Sequence, residues 1–275
     1  DATTATALLL NTINDATSVA VDLTNVTALA GSSLSDLGTL ATAIGNNEFD
    51  NDAGITTIAV TDTTIDATAL ASTIDSYDVI NGDSTTGITL ASGATINVDA
   101  SEVTEMLADE TAGRLTINDQ AITVTGEISV ATANLLNGTT SGVVNASIAT
   151  TETVDELATL AGTGNAYTIV ISTGDATGST ASELTAIDNA TTVVVDATAV
   201  TEVTGSNSEI NTLYGSGGVN ELGDEIIIIT NDLTVAEANE IDLLTTGVVT
   251  ATIVSSESVE TLKTLATASA YNITI

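Results

Sequence analysis

VATANLLNGTTSGVVNASIATTETVDELATLAG (130–162) and VAEANEIDLLTTGVVTATIVSSESVETLKTLAT (235–267) are two copies of one pattern. They align without a gap, and roughly half of their positions are identical. After a one-residue slip the match continues, NAYTIVI (165–171) against SAYNITI (269–275), which sets a long period of about 105 residues. A second pair, NDATSVAVDLTNVTALAGS (14–32) and DNATTVVVDATAVTEVTGS (188–206), carries the repetition toward the N-terminus. Self-similarity of this kind marks a repeat architecture, in which each unit buries its apolar face only against its neighbours.

A shorter beat runs inside the long one. A helix-like stretch precedes a strand-like stretch, giving about 20–30 residues per beat. The helical halves include SEVTEMLADE (101–110), ASELTAIDNA (181–190) and VAEANEIDLL (235–244). Val154, Leu157 and Leu160 recur every third residue, as do Val259, Leu262 and Leu265, and this spacing lines one face of a short helix. Ser or Thr ahead of a Glu, in TTETVDE (150–156) and SSESVE (255–260), is an N-terminal signal. The strand halves are β-branched and alternate with Thr, Asn or Ala, as in TTIAVT, ATINVD and GVVTATI. EIIIIT (225–230) does not alternate, the pattern of a strand buried on both faces. Gly and Asn mark the corners, among them TTSG (139–142) and TTG (245–247).

Strands alternating with short helices predict parallel pairing and right-handed crossovers. The expected fold is an α/β repeat solenoid over residues 1–275. A parallel sheet lies on one side, short helices lie on the other, and each coil holds about 20–30 residues. An all-β right-handed β-helix is the alternative reading. Residues 77–127 fit least well and predict a β-rich insertion. The pattern opens and closes inside a unit, so a segment of a longer array, or a subunit stacking end to end, is expected.

The 37 Asp and Glu residues face only Arg114 and Lys263, a formal charge of −35, and there is no His, Cys, Trp or Pro. This removes His- and Cys-based catalysis and the usual zinc, haem and iron–sulfur sites. Two cations cannot grip nucleic acid. No apolar run is long enough for a transmembrane helix. Hydrophobic residues still make up 43%, too many for a disordered acidic tail. The charge suits salty water outside a cell, where ions screen self-repulsion.

The pattern V-x-A-x-x-A-N-x(7)-T-G-V-V-x-A-x-I, close to VAEANEIDLLTTGVVTATI (235–253), together with GTGNAYTI (162–169) and ASELTAID (181–188), resembles the tandem repeats of very large surface proteins of marine picocyanobacteria. The resemblance covers most of the chain outside about 77–127. It implies a cell-surface role in adhesion or non-flagellar swimming and transfers no functional residue.

EFDNDAG (48–54) is the densest acidic cluster. Glu48, Asp50 and Asp52 are hard oxygen ligands ahead of a turn glycine, which suits Ca²⁺, although the register of an EF-hand loop is missing. A solvated acidic loop explains the same residues. NGDS (81–84), TINDQ (116–120), LGDE (222–225) and NDLT (231–234) read as turns and helix caps. Carboxylates are plentiful, but four Tyr and one Phe leave few platforms for a sugar, so no enzyme is expected. The expected function is an extracellular structural repeat in a surface fibre, sheath or surface layer, acting in adhesion or assembly. It would self-associate by coil stacking or lateral contact. A glycan- or receptor-binding adhesin or phage-fibre module is the alternative. Ice binding is disfavoured because the outward positions vary among Thr, Asn, Asp, Ser and Ala.

Overall fold

The computed structural model describes residues 3–82, 86–175, 177–267 and 269–274. The chain is an α/β protein of several parallel sheets with alternating strands and helices, and among the described residues it forms no closed barrel. It divides into two compact units, Asp1–Gly126 with Leu135–Asn145 and Glu127–Asn134 with Ala146–Ile275.

The first unit contains β1 (Thr4–Ala5), α1 (Ala7–Asp15), β2 (Val21–Asp22), β3 (Ala28–Ser32), α2 (Leu34–Gly45), β4 (Phe49–Asp50), β5 (Thr57–Val60), β6 (Thr64–Asp66), α3 (Ala67–Ile80), β7 (Gly87–Thr89), β8 (Thr95–Asp99), α4 (Val103–Thr111), β9 (Leu115–Thr116) and most of β10 (Ala121–Ile128). Strands β1-β3-β5-β7-β9 pair in that order, in parallel. A second parallel set runs β6-β8-β10, and β2 pairs with β4. Parallel neighbours need a crossover, and the helices supply it. Register stacks like on like: Leu29 lies beside Ile58, Ile58 beside Ile88 and Ile88 beside Leu115. Ile65, Ile96 and Ile122 form a second apolar row. These side chains are buried, together with Leu37, Leu40 and Ile44 of α2 and Leu70, Ile74 and Tyr77 of α3. Fully burying one such side chain contributes roughly 1.5–3 kcal/mol. Successive helices pack on one another, α1 on α2, α2 on α3 and α3 on α4. Within 77–127, β7 to β10 all pair in parallel, and α4 stands between β8 and β9.

Helix α5 (Val130–Thr139) and β11 (Val144–Ile148) hold residues of both units. The second unit continues with α6 (Val154–Leu157), β12 (Ala166–Thr168), β13 (Ser179–Thr180), α7 (Ala181–Ala190), β14 (Val195–Asp196), β15 (Glu202–Gly205), α8 (Asn207–Ser216), β16 (Val219–Asn220), β17 (Ile226–Ile229), α9 (Val235–Asp242), β18 (Val249–Ile253), α10 (Val259–Leu262) and β19 (Ala270–Ile273). Its main sheet has the order β13-β15-β17-β18-β19, again parallel, and β14 pairs with β16. Val203, Ile227 and Val249 stack in register and are buried.

Two expectations are corrected here. EIIIIT alternates after all: Ile227 and Ile229 are buried, while Ile226 is exposed and Ile228 half-buried. Ile228 sits in register between Thr204 and Thr250, so its face of the sheet belongs to a mixed polar row. TVDELATLAG (153–162) and ESVETLKTLAT (257–267), which read as helical stretches of ten and eleven residues, each form only one helical turn. Asn134 Nδ2 donates to the Thr159 carbonyl at 3.0 Å, and Asn134 Oδ1 accepts from the Ala161 N–H at 2.7 Å. Asn239 does the same with Thr264 and Ala266, at 2.9 and 3.0 Å. The asparagine takes the backbone groups that a longer helix would use.

Candidate functional site

The three expected metal ligands do not share one line. Glu48 Oε2 accepts from Asn14 Nδ2 at 2.5 Å, and its Oε1 accepts from Asn46 Nδ2 at 3.4 Å. Asp50 is in β4, in register with Asp22 of β2. Asn51 then adopts φ 59° and turns the chain, so Asp52 opens a 3-10 turn off the strand line. Asp22 is already in use: it accepts from the Thr24 hydroxyl at 2.5 Å, the Thr24 N–H at 2.9 Å and Asn51 Nδ2 at 2.9 Å. The Thr24 hydroxyl, Asn51 and the Thr24 N–H hold its carboxyl below the usual carboxylate range. Among the described residues, no group of three or more acids is placed to hold a metal ion.

Several of the other acids fall into recurring local motifs. Thr153 with Glu156, Thr180 with Glu183, Ser206 with Glu209 and Thr234 with Glu237 form capping boxes at α6, α7, α8 and α9. In each, the hydroxyl accepts from a helix N–H and the Glu carboxylate accepts from the capping residue's own N–H. The carboxyls of Glu156, Glu209 and Glu237 are held below the ordinary range by those backbone and hydroxyl donors. A second motif is Asp-x-Ser/Thr. Asp99 accepts from the N–H and hydroxyl of Ser101, and Asp196 from those of Thr198, as Asp22 does from Thr24. The Asp99 and Asp196 hydroxyl partners, then the backbone donors, pull both carboxyls down. In NGDS, Asp83 and Ser84 lie outside the described residues.

The corner glycines have a definite purpose. Thr140 Oγ1 donates to the Gln120 carbonyl at 2.6 Å and accepts from the Gly142 N–H at 2.9 Å. Thr245 repeats this with the Glu225 carbonyl at 2.7 Å and Gly247 at 2.9 Å. The backbone comes so close that a Cβ on Gly142 or Gly247 would collide with the same carbonyl. Tyr167 and Tyr271 are packing residues in equivalent places. Their hydroxyls donate to the Ala133 and Ala238 carbonyls, each at 3.4 Å. Burial pushes the Tyr167 phenol up to about 12.

A concavity of about 360 Å³ lies between α3 and α4. Leu70, Ile74 and Met106 line its apolar wall, and Asp75, Glu102, Glu105 and Asp109 bring the charge. Glu102 accepts from the Thr68 hydroxyl at 2.7 Å. Arg114 bridges Asp109 and Asp78, the latter at 3.2 Å. Burial pushes the Asp109 carboxyl up, and the Arg114 charge opposes that rise. The groove has no aromatic side chain on which a sugar ring could stack. Sequence reasoning had no signal for it, because the pairing of α3 with α4 is a tertiary contact.

No family model, curated protein or solved structure matches this chain. Among the described residues, no helix is long and apolar enough to cross a membrane.

Proposed function

We propose that the chain is a non-catalytic segment of an extracellular fibre, sheath or surface layer, built as an α/β solenoid of strand–helix coils. The observation that carries this reading is the recurrence of the fastenings between successive strand–helix segments. The Asn134 and Asn239 bridges, the Thr140 and Thr245 corners and the Tyr167 and Tyr271 bonds occupy matching positions in the two copies. Selection for a stack explains why these positions repeat, since each joins a coil to its neighbour. The capped and turn-bound acids support the same reading: their partners are local donors, and the charge they leave at the surface keeps a long polymer soluble in salt. The likeness to picocyanobacterial surface repeats fits this setting.

Immunogold labelling with an antibody against the chain tests the proposal. Label is expected on the outside of intact, unpermeabilised cells of the producing organism. Label confined to the interior after permeabilisation would sink it.

A further inference from the structure

We propose that the Glu225 corner, at the start of β17, binds Ca²⁺ through Glu225 Oε1, the Asp224 carboxylate and the carbonyl of the turn ahead of β15. The site lies inside the second unit, and it stands whether or not the chain serves in a fibre.

The molecule contains its own control for this corner. NDQAITVT (118–125) matches GDEIIIIT (223–230), which sets Gln120 against Glu225. Each is only 1% exposed. Each stands directly before a paired strand residue: Ala121 lies beside Thr95, and Ile226 beside Glu202. One side-chain atom has the same task in both. Gln120 Oε1 accepts from the Asn118 N–H at 2.7 Å, and Glu225 Oε2 accepts from the matching Gly223 N–H at 2.6 Å. Glu225 Oε2 also takes the Asp224 N–H at 3.1 Å. The other atom of each side chain is thereby matched as well, Gln120 Nε2 with Glu225 Oε1.

Gln120 Nε2 donates to the Ala91 carbonyl at 2.9 Å and to Asp119 Oδ1 at 3.2 Å. Both acceptors have counterparts in the second copy. Asp224 falls on Asp119. The Ala91 carbonyl closes the turn ahead of β8, taking the Ala94 N–H at 3.2 Å, and the Ala197 carbonyl closes the turn ahead of β15, taking the Val200 N–H at 2.9 Å. The donor that served two acceptors is thus replaced by a third oxygen. Glu225 Oε1 is buried with no hydrogen-bond partner among the described residues. A buried carboxylate left in this way is costly. Neither basic side chain answers it, since Arg114 pairs with Asp78 and Asp109, and Lys263 with Glu260. A cation supplies the positive centre that the amide supplies in the first copy. Two carboxylates and a carbonyl are an all-oxygen set. Two carboxylates also fall short of a cage of three acids, so water completes the shell, which Ca²⁺ with its flexible geometry accepts more readily than Mg²⁺. The Glu225 carbonyl meanwhile accepts from the Thr245 hydroxyl at 2.7 Å. The ion therefore fastens the turn ahead of β15 and the start of β17 to the corner ahead of β18.

Thermal melts of the whole chain in about 1 M NaCl, where the Debye length is about 3 Å, test this. Melting in EDTA is compared with melting in about 10 mM CaCl₂. The wild-type chain is expected to melt about 3 °C or more higher in calcium, the shift produced by an ion in roughly tenfold excess over its Kd. Glu225→Gln installs the amide of the first copy in the second. This variant should melt at least as high as wild type in EDTA and gain nothing from calcium. Gln120→Glu gives the first copy the same three oxygens. It should melt lower than wild type in EDTA and gain roughly twice the wild-type shift in calcium. Equal shifts in wild type and Glu225→Gln, or no shift in either, would overturn the proposal. A Gln120→Glu chain whose calcium shift is no larger than that of wild type would overturn it too, and that comparison decides the matter should Glu225→Gln fail to fold.

Discussion

Residue by residue, the two copies explain each other. Gln120 and Glu225 are both buried and stand at matching corners, directly ahead of β10 and β17. Gln120 Oε1 accepts from the Asn118 N–H at 2.7 Å, and its Nε2 donates to the Ala91 carbonyl at 2.9 Å. Glu225 Oε2 repeats the acceptor half, taking the Gly223 N–H at 2.6 Å, but its Oε1 is buried with no partner. A carboxylate cannot donate as the amide does. Glu225→Gln should therefore stabilise the protein, and Gln120→Glu should destabilise it by about 1–3 kcal/mol, the usual cost of leaving a buried acceptor unmet. Urea melts of both variants check this; equal midpoints would refute the pairing. Gly142→Ala and Gly247→Ala should each cost about 1–3 kcal/mol, because the added methyl must displace a backbone carbonyl. The sequence marked these glycines as corners. It did not reveal the close approach, which depends on Gln120 and Glu225 some twenty residues away.

At the scale of the element, the chain wrote its helix starts plainly. Thr153 and Ser258 do cap their helices, as TTETVDE and SSESVE led one to expect. Helix lengths were less legible, because Asn134 and Asn239 end α6 and α10 from another part of the chain. Thr180→Ala should cost roughly 1 kcal/mol, read as a shift in denaturant midpoint with an unchanged slope. The capping carboxylates also set a pH response. Glu156, Glu209 and Glu237 have folded pKa values below their unfolded ones, as do Asp22, Asp99 and Asp196. Their contribution is present above the unfolded values, near pH 4, and is lost as pH falls through the folded values. In about 1 M salt, where self-repulsion is screened, the melting temperature should drop steadily on acidification below about pH 5. A flat profile there would show that these bonds add nothing to stability.

For the whole molecule, charge and topology act in different ways. A formal −35 opposes compaction at low ionic strength, so raising NaCl from about 0.01 to 1 M should raise the melting temperature, as the Debye length shrinks from about 30 to 3 Å. An unchanged melt would mean that the charges are spread too thinly to matter. Alternation and repetition made the parallel α/β class legible. The assignment of particular acids to particular donors was not, since composition cannot say which carboxylate lies beside which hydroxyl. The strand register has one more consequence, and it concerns time. Thr4 pairs with Ala28, Thr57 with Gly87 and Thr250 with Ala270, so every such partner is only a few tens of residues away along the chain. Parallel sheets usually fold slowly because distant segments must first find each other. Here a strand leaving the ribosome waits only for the next few tens of residues, so the protein can fold in the order in which it is made.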